Sequence, residues 1–174
     1  MDHRIALKPN TPLCLSNDSG EMIHCIIKNE IGRGGSCIVY EAVRITETGD
    51  QTLYRIKEVY PYKLHISRNN NELVPSVHDM DSFQKGQKQF RCDFSHTNRL
   101  FYSGDNYSSM TNQLDVFNQN GTSYILSAYS SENTLAAYKP VNLKECITLI
   151  KQVVYVLGNI HKMGYLYLDI KPDN

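Results

Sequence analysis

The hydrophobic pattern of this chain changes its period along the sequence, and that change limits the folds it can adopt. From Ile23 to Val59, apolar and polar residues alternate in short runs separated by turn residues, which predicts antiparallel β-strands joined by short links. Toward the carboxyl end, apolar residues recur every three or four positions, which predicts a long amphipathic helix over 143–163 that ends at Gly164. Strands that precede the long helix, rather than alternate with helices, predict an α+β fold.

Four further segments complete the predicted order. Residues 1–22 are polar and broken by prolines, which predicts a lead-in arm with one short strand. Residues 61–81, with two prolines and three consecutive asparagines, are predicted to be an irregular loop or insertion. Loosely spaced apolar residues predict a helix over about 82–100. Asn120-Gly121 between two apolar runs predicts a β-hairpin.

Composition excludes several classes of protein. The 174 residues carry 18 Lys and Arg against 18 Asp and Glu, and this balance argues against a nucleic-acid-binding surface. No apolar run approaches the length of a membrane span, and the first residues lack the apolar stretch of a secretory signal. The five cysteines form no C-x-x-C pair, which favours reduced thiols. We therefore expect a cytoplasmic protein with no membrane segment and no nucleic-acid partner.

A loop rich in glycine is the first candidate site. Gly32, Gly34 and Gly35 precede a β-branched run at Ile38 and Val39. Glycines allow a backbone to approach a polyphosphate so that its N–H groups face the phosphate oxygens; a flexible hairpin turn is the alternative. A Walker A loop is excluded because no G-K-[ST] triplet occurs. A dinucleotide-binding fingerprint is excluded because a predicted strand, and not a helix, follows the loop.

Two further features carry groups that can act on phosphates. Lys57 lies in a predicted strand near the glycine loop, where it can meet a phosphate; a solvated lysine is the alternative. Asp169, Lys171 and Asn174 follow the long helix within a short stretch. A carboxylate can orient or deprotonate a hydroxyl and an amide oxygen can bind Mg²⁺, whereas the alternative is an ordinary polar turn.

Together these features resemble the motifs of eukaryotic-type serine/threonine protein kinases, a family also found in bacteria. The family's glycine loop, G-x-G-x-x-G-x-V, is matched by Gly32, Gly34 and Val39. Its V-A-I-K strand is matched by residues 54–57, and its H-R-D-x-K-P-x-N catalytic loop by residues 167–174. The motifs follow the family's order, and the resemblance covers nearly the whole chain.

The resemblance implies that ATP and Mg²⁺ are the cofactors and that a protein hydroxyl is the substrate. Lys57 would contact the α- and β-phosphates of ATP. Asp169 would orient the hydroxyl or accept its proton, Lys171 would steady the transferred phosphate, and Asn174 would bind Mg²⁺. Ser127 would be the gatekeeper of the adenine pocket. The expected ATP-binding set is completed by the glycine loop, one helix residue and the hinge backbone: Gly32, Gly34, Gly35, Val39, Asp93, Ala128 and Ser130.

The chain departs from the family's motifs at several positions. Asp93 aligns with the helix glutamate that pairs with the strand lysine, and because aspartate is one methylene shorter, its pair with Lys57 is expected to be stretched or water-bridged. Arg55 replaces a small residue and is expected to crowd the adenine pocket unless it turns aside. Cys37 replaces the third glycine and brings a thiol near the nucleotide. Residues 167–168 replace His-Arg, whose arginine is the family's usual docking partner for an activation-loop phosphate, so control by that route is not expected.

The resemblance also implies a domain organisation. Residues 1–22 would be an amino-terminal arm, residues 23–130 the kinase small lobe with its hinge, and residues 131–174 the start of the large lobe. Because the sequence stops before the Asp-Phe-Gly segment, we expect an amino-terminal portion that is inactive alone. The 143–163 helix is then expected to need the missing large-lobe segment, or a partner, to cover its apolar side. A pseudokinase-like interaction module without catalysis is the alternative function.

Overall fold

A computed structural model describes residues 2–17, 19–46, 49–102, 112–130 and 134–172. Its elements, in chain order, are β1 (Pro12–Ser16), β2 (Met22–Arg33), β3 (Cys37–Ile45), β4 (Gln51–Val59), β5 (Ile66–Asn69), β6 (Glu72–Pro75), α1 (Met80–Tyr102), β7 (Gln113–Gln119), β8 (Thr122–Ala128) and α2 (Leu143–Lys162). The fold is α+β, as predicted.

The chain divides into two compact units, Met1–Asn98 with Thr111–Tyr129 (the sheet unit) and Arg99–Met110 with Ser130–Asn174 (the α2 unit). Among the described helices, none is both long and apolar enough to cross a membrane.

The sheet unit is built on one sheet with the strand order β1-β2-β3-β4-β8-β7, in which each neighbouring pair is antiparallel. The antiparallel arrangement predicted for the strands between Ile23 and Val59 is thereby confirmed in β2, β3 and β4. The sheet curls until its two edges approach each other. Asn17, just after β1, donates a hydrogen bond from Nδ2 to Oδ2 of Asp115 in β7 at 2.6 Å.

The amino-terminal segment is part of this sheet and its core. The short strand expected there is β1, which pairs with β2. Leu13 and Leu15 alternate with Cys14 along β1 and are buried, and Leu7 is buried with them. Burial of a leucine side chain contributes about 1.5–3 kcal/mol relative to its exposure, so these three side chains hold the segment firmly against the sheet.

The expectation that residues 61–81 form an irregular loop is wrong for their central part. Residues 66–75 form the β5–β6 hairpin, whose turn contains Asn70 in the left-handed region at φ 55°. Leu73 in β6 is buried in the core, and its N–H donates to the Asn120 carbonyl oxygen at 2.9 Å. The segment therefore packs against the β7–β8 turn instead of forming an insertion at the surface.

The predicted helices and the Asn-Gly hairpin are confirmed, with shifted ends. The first helix, α1, is somewhat longer than expected, and β7 and β8 meet at Asn120 and Gly121, both at positive φ. The second helix, α2, begins after the N-cap residue Asn142, whose side chain accepts a hydrogen bond from the N–H of Glu145, and Gly164 follows its end at φ 83°. The apolar side of α2 is largely exposed, so the need for a covering segment or partner stays a prediction.

Candidate functional site

The glycine loop (Gly32–Cys37) joins β2 to β3 in the sheet unit, and its carbonyl groups are held by neighbouring backbone. The Gly35 oxygen accepts a hydrogen bond from the Tyr62 N–H at 3.1 Å, and the Ser36 oxygen accepts one from the Tyr60 N–H at 2.9 Å. Within the described ranges, the N–H groups of Gly35 and Ser36 meet no acceptor. Two adjacent backbone amides without a protein acceptor are what an anion such as a phosphate requires.

Space beside the loop is open as well. A Cβ atom placed on Gly32 or Gly34 would meet no atom of the described chain within 4 Å, and neither residue has a positive φ. The protein's own packing therefore does not demand glycine at these two positions. Their small size leaves room beside the backbone, which suits a ligand that approaches the loop closely.

The strand register brings three of the predicted residues into one row across the sheet. Gly32 lies opposite Val39, Val39 opposite Lys57, and Lys57 opposite Ile125. Directly opposed residues share a face, so Val39, Lys57 and Ile125 project on the same side of the sheet. Lys57 is exposed, and in the described part of the chain it forms no ion pair with a carboxylate. A solvated ammonium group is thus located one strand from the end of the glycine loop.

The expected pair between Lys57 and Asp93 is not formed in the described structure. Asp93 is exposed on α1 and accepts a hydrogen bond from the Gln89 side chain at 2.7 Å. The neighbouring Phe94 is the buried residue, so the helix turns Asp93 away from the core. The α1 side chains that reach the sheet include two that sequence reasoning missed: Gln87 and Arg91, both hydrogen-bonded to Ser123.

The Arg55 side chain lies beside Tyr129, which follows the end of β8. Its guanidinium lies 5.6 Å from the centroid of the Tyr129 ring, a cation–π arrangement at the end of β8. Ser127, the expected gatekeeper, is buried opposite Arg55 in the register. Ala128 is the last residue of β8 and is half-buried, whereas Ser130 belongs to the α2 unit.

Cys37 does not offer a reactive thiol. Its side chain is 6% exposed, and burial raises its pKa to about 11 despite the opposing effect of nearby Lys57. The thiolate is the reactive form of cysteine, so a thiol with this pKa remains protonated and inert near neutral pH.

A buried polar cluster anchors the strand that carries Lys57, on the opposite face of the sheet. Glu58 is fully buried, and its carboxylate forms an ion pair with Arg68 of β5 at 2.5 Å. The hydroxyls of Tyr40 and Tyr124 donate to the same carboxylate at 2.8 and 3.0 Å. Burial raises the pKa values of both tyrosines, so they remain hydrogen-bond donors. The sequence signal for this cluster is a charged residue two positions after the apolar Ile56, on the apolar face of the strand.

The predicted catalytic segment lies in the α2 unit and is partly described. Lys171 Nζ and Asp169 Oδ2 form an ion pair at 3.1 Å, and the two side chains are 48% and 70% exposed. The Pro172 carbonyl oxygen accepts a hydrogen bond from the Ala136 N–H at 2.9 Å, which ties this segment to residues 134–138. Asn174, the expected Mg²⁺ ligand, lies outside the described residues.

Comparison with known proteins finds a solved structure that this chain resembles but no family model that matches its sequence. No family model matches the chain, and no curated protein matches it. Among solved structures, the apo form of PpkA-294, a bacterial Ser/Thr kinase fragment, matches with a TM-score of 0.69 and 26% sequence identity. The match covers 86% of this chain, which spans about half, 53%, of that structure. The fold is therefore kinase-like.

Proposed function

We propose that this chain binds Mg²⁺–ATP and forms the ATP-binding part of a serine/threonine protein kinase, which transfers the γ-phosphate of ATP to a protein hydroxyl. One observation carries the proposal: Lys57 is exposed in the same row of the sheet as Gly32 and Val39, beside a loop with two unengaged amides. The structural likeness to a Ser/Thr kinase fragment supports it.

The residues present fit the phosphates of the nucleotide. The amides of Gly35 and Ser36 can donate to phosphate oxygens, and the Lys57 ammonium supplies a compact positive charge beside them. In this proposal the backbone of Ala128 and Ser130 faces the adenine ring. Bound Mg²⁺ would neutralise charge on the phosphates, with Asn174 as its ligand in this chain.

The proposed phosphotransfer role falls on the α2 unit. Asp169 would orient the substrate hydroxyl, and Lys171, already paired with that carboxylate, would steady the transferred phosphate. Phosphoryl transfer depends chiefly on position and charge neutralisation, so in a protein that also carries the expected large-lobe segment, replacement of Asp169 by asparagine should reduce phosphotransfer strongly while ATP affinity is kept.

A second candidate is a pseudokinase-like module that binds nucleotide or a protein without catalysis. The position of Asp93 favours it, because Lys57 has no carboxylate partner among the described residues and α1 presents Gln87 and Arg91 to the sheet. A phosphotransfer assay on peptides that contain serine and threonine separates the two candidates when the chain is joined to the large-lobe segment that the kinase resemblance implies, because both candidates predict an inactive chain without it. In that protein, phosphotransfer that is lost in Asp169→Asn supports the kinase, whereas ATP binding without phosphotransfer supports the pseudokinase.

A thermal-shift titration with ATP and Mg²⁺ tests the shared binding step. A ligand at 100 times its Kd stabilises the folded protein by about 2.7 kcal/mol, so the wild-type Tm should rise by several degrees. Lys57→Met and Gly34→Ala should keep the Tm of the free protein and lose most of that rise. Lys85→Met, at an exposed lysine of α1, is the matched control and should retain it. An unchanged wild-type Tm at millimolar ATP would refute the proposal.

A further inference from the structure

The amino-terminal segment reaches the glycine loop through one buried arginine. Arg4 is 8% exposed, and its guanidinium donates to three backbone carbonyl oxygens. These are the oxygens of Gly34 at 2.9 Å, Cys37 at 3.2 Å and Tyr60 at 2.5 Å. The first two belong to the glycine loop, and Tyr60 directly follows β4, the strand that carries Lys57. Arg4 thus connects the loop to the end of the Lys57 strand.

The guanidinium is itself fixed in place by its neighbours. Asp2 accepts hydrogen bonds from Nη2 and Nε of Arg4, at 2.6 and 2.9 Å. These bonds hold the pKa of the Asp2 carboxyl well below its usual range. The Arg4 carbonyl oxygen accepts a hydrogen bond from Nη1 of Arg33, which forms an ion pair with Glu30. A planar guanidinium with fixed donors loses little further side-chain entropy when it binds carbonyl groups.

Arg4 also completes the engagement of the loop's carbonyl groups. The oxygens of Gly35 and Ser36 accept backbone N–H groups, and those of Gly34 and Cys37 accept Arg4. All four consecutive carbonyls therefore bond to protein donors, so none of them is left to repel a phosphate. Glycine-rich backbone is entropically costly to order, and charge-assisted hydrogen bonds are about twice as strong as neutral ones.

We propose that Arg4 is a positioning residue that fixes the conformation of the glycine loop and, through it, the affinity for a nucleoside triphosphate. The second part rests on the proposed function. All three guanidinium nitrogens of Arg4 already donate to the Asp2 carboxylate or to backbone carbonyl oxygens, so its effect on the nucleotide would be transmitted by the loop backbone. It should therefore act on ligands with phosphates and not on the nucleoside alone.

Two measurements on Arg4→Ala test this proposal. The first is amide hydrogen exchange in the free protein, for the N–H groups of Gly34, Tyr60 and Tyr62, whose acceptors are loop carbonyls. Exchange at these amides should accelerate at least about tenfold, which corresponds to about 1.4 kcal/mol of lost local stability. The second is calorimetric titration: the Kd for ATP should rise about tenfold, while the Kd for adenosine stays within about twofold.

Controls separate this role from general destabilisation and from failure of the proposed function. Arg44→Ala, at a half-buried arginine of β3, should change neither readout. Arg4→Lys keeps the charge but has one ammonium group for three acceptors, so its exchange rates and its Kd for ATP should lie between those of wild type and Arg4→Ala. If Arg4→Ala does not fold, Arg4→Lys takes its place in both measurements. Unchanged exchange in Arg4→Ala and Arg4→Lys, or equal weakening of ATP and adenosine binding, overturns the proposal for Arg4. If wild-type protein binds no ATP, the proposed function fails, and the exchange data alone decide whether Arg4 orders the loop.

Discussion

Replacement of Glu58 by leucine should strongly destabilise the sheet unit. Glu58 is fully buried and receives three hydrogen bonds, including an ion pair with Arg68, whose side chain is 3% exposed. Removal of one partner leaves a buried guanidinium uncompensated, which typically costs about 3–5 kcal/mol. This is a large part of the about 5–15 kcal/mol that stabilises an ordinary domain. The Tm should therefore fall by more than about 10 °C.

The double variant Glu58→Leu with Arg68→Met provides the sharper comparison. Replacement of a buried ion pair by apolar side chains of similar size is often neutral or stabilising, so the double variant should be more stable than either single variant. Urea unfolding followed by far-UV circular dichroism measures all four proteins, since the chain has no tryptophan to report the transition. A cost below about 1 kcal/mol for Glu58→Leu, or single costs that simply add in the double variant, would refute this reasoning.

Two further predictions concern a glycine and the thiols. In urea unfolding, Gly121→Ala should lower the free energy of unfolding clearly more than Gly20→Ala. Both glycines have positive φ, but only at Gly121 would an added Cβ lie 2.3 Å from the Leu73 carbonyl oxygen. Equal losses of stability in the two variants would contradict this reasoning. Iodoacetamide at pH 8 should label exposed Cys92 much faster than Cys37 in the folded protein, as read by peptide mass spectrometry; equal rates would show that Cys37 is not buried.

Local patterns in the sequence predicted the elements whose signals are strong and self-contained. The Asn120-Gly121 hairpin follows from two residues that accept positive φ, and α2 follows from a sustained helical period. The β5–β6 hairpin was missed because strands of four residues are too short to show alternation. The asparagine run was nevertheless its turn signal, since Asn70 takes the left-handed conformation there.

The relative placement of candidate-site residues was predictable where they lie on neighbouring strands, and it was not predictable where distant segments of the chain meet. Gly32, Val39 and Lys57 follow from motif spacing, and the register brings them into one row. The sequence does not show which side of α1 faces the sheet, because the apolar residues of this helix are loosely spaced. Asp93 is therefore expected from the sequence to pair with Lys57, whereas the structure places it on the exposed side of the helix. Arg4 gives no sequence signal, since its acceptors are backbone carbonyls at least 30 residues away along the chain.

Amide chemical-shift mapping with Mg²⁺–ATP tests the central claim most directly, because it reports both binding and its location. ATP should shift the amide signals of Gly35, Ser36 and Lys57, and adenosine should shift these three far less, because the Gly35 and Ser36 amides and the Lys57 ammonium group are proposed to meet phosphates. The β5–β6 hairpin should stay unshifted with either ligand. Saturating ATP that leaves the three amides unmoved, or that shifts the hairpin instead, would contradict the account.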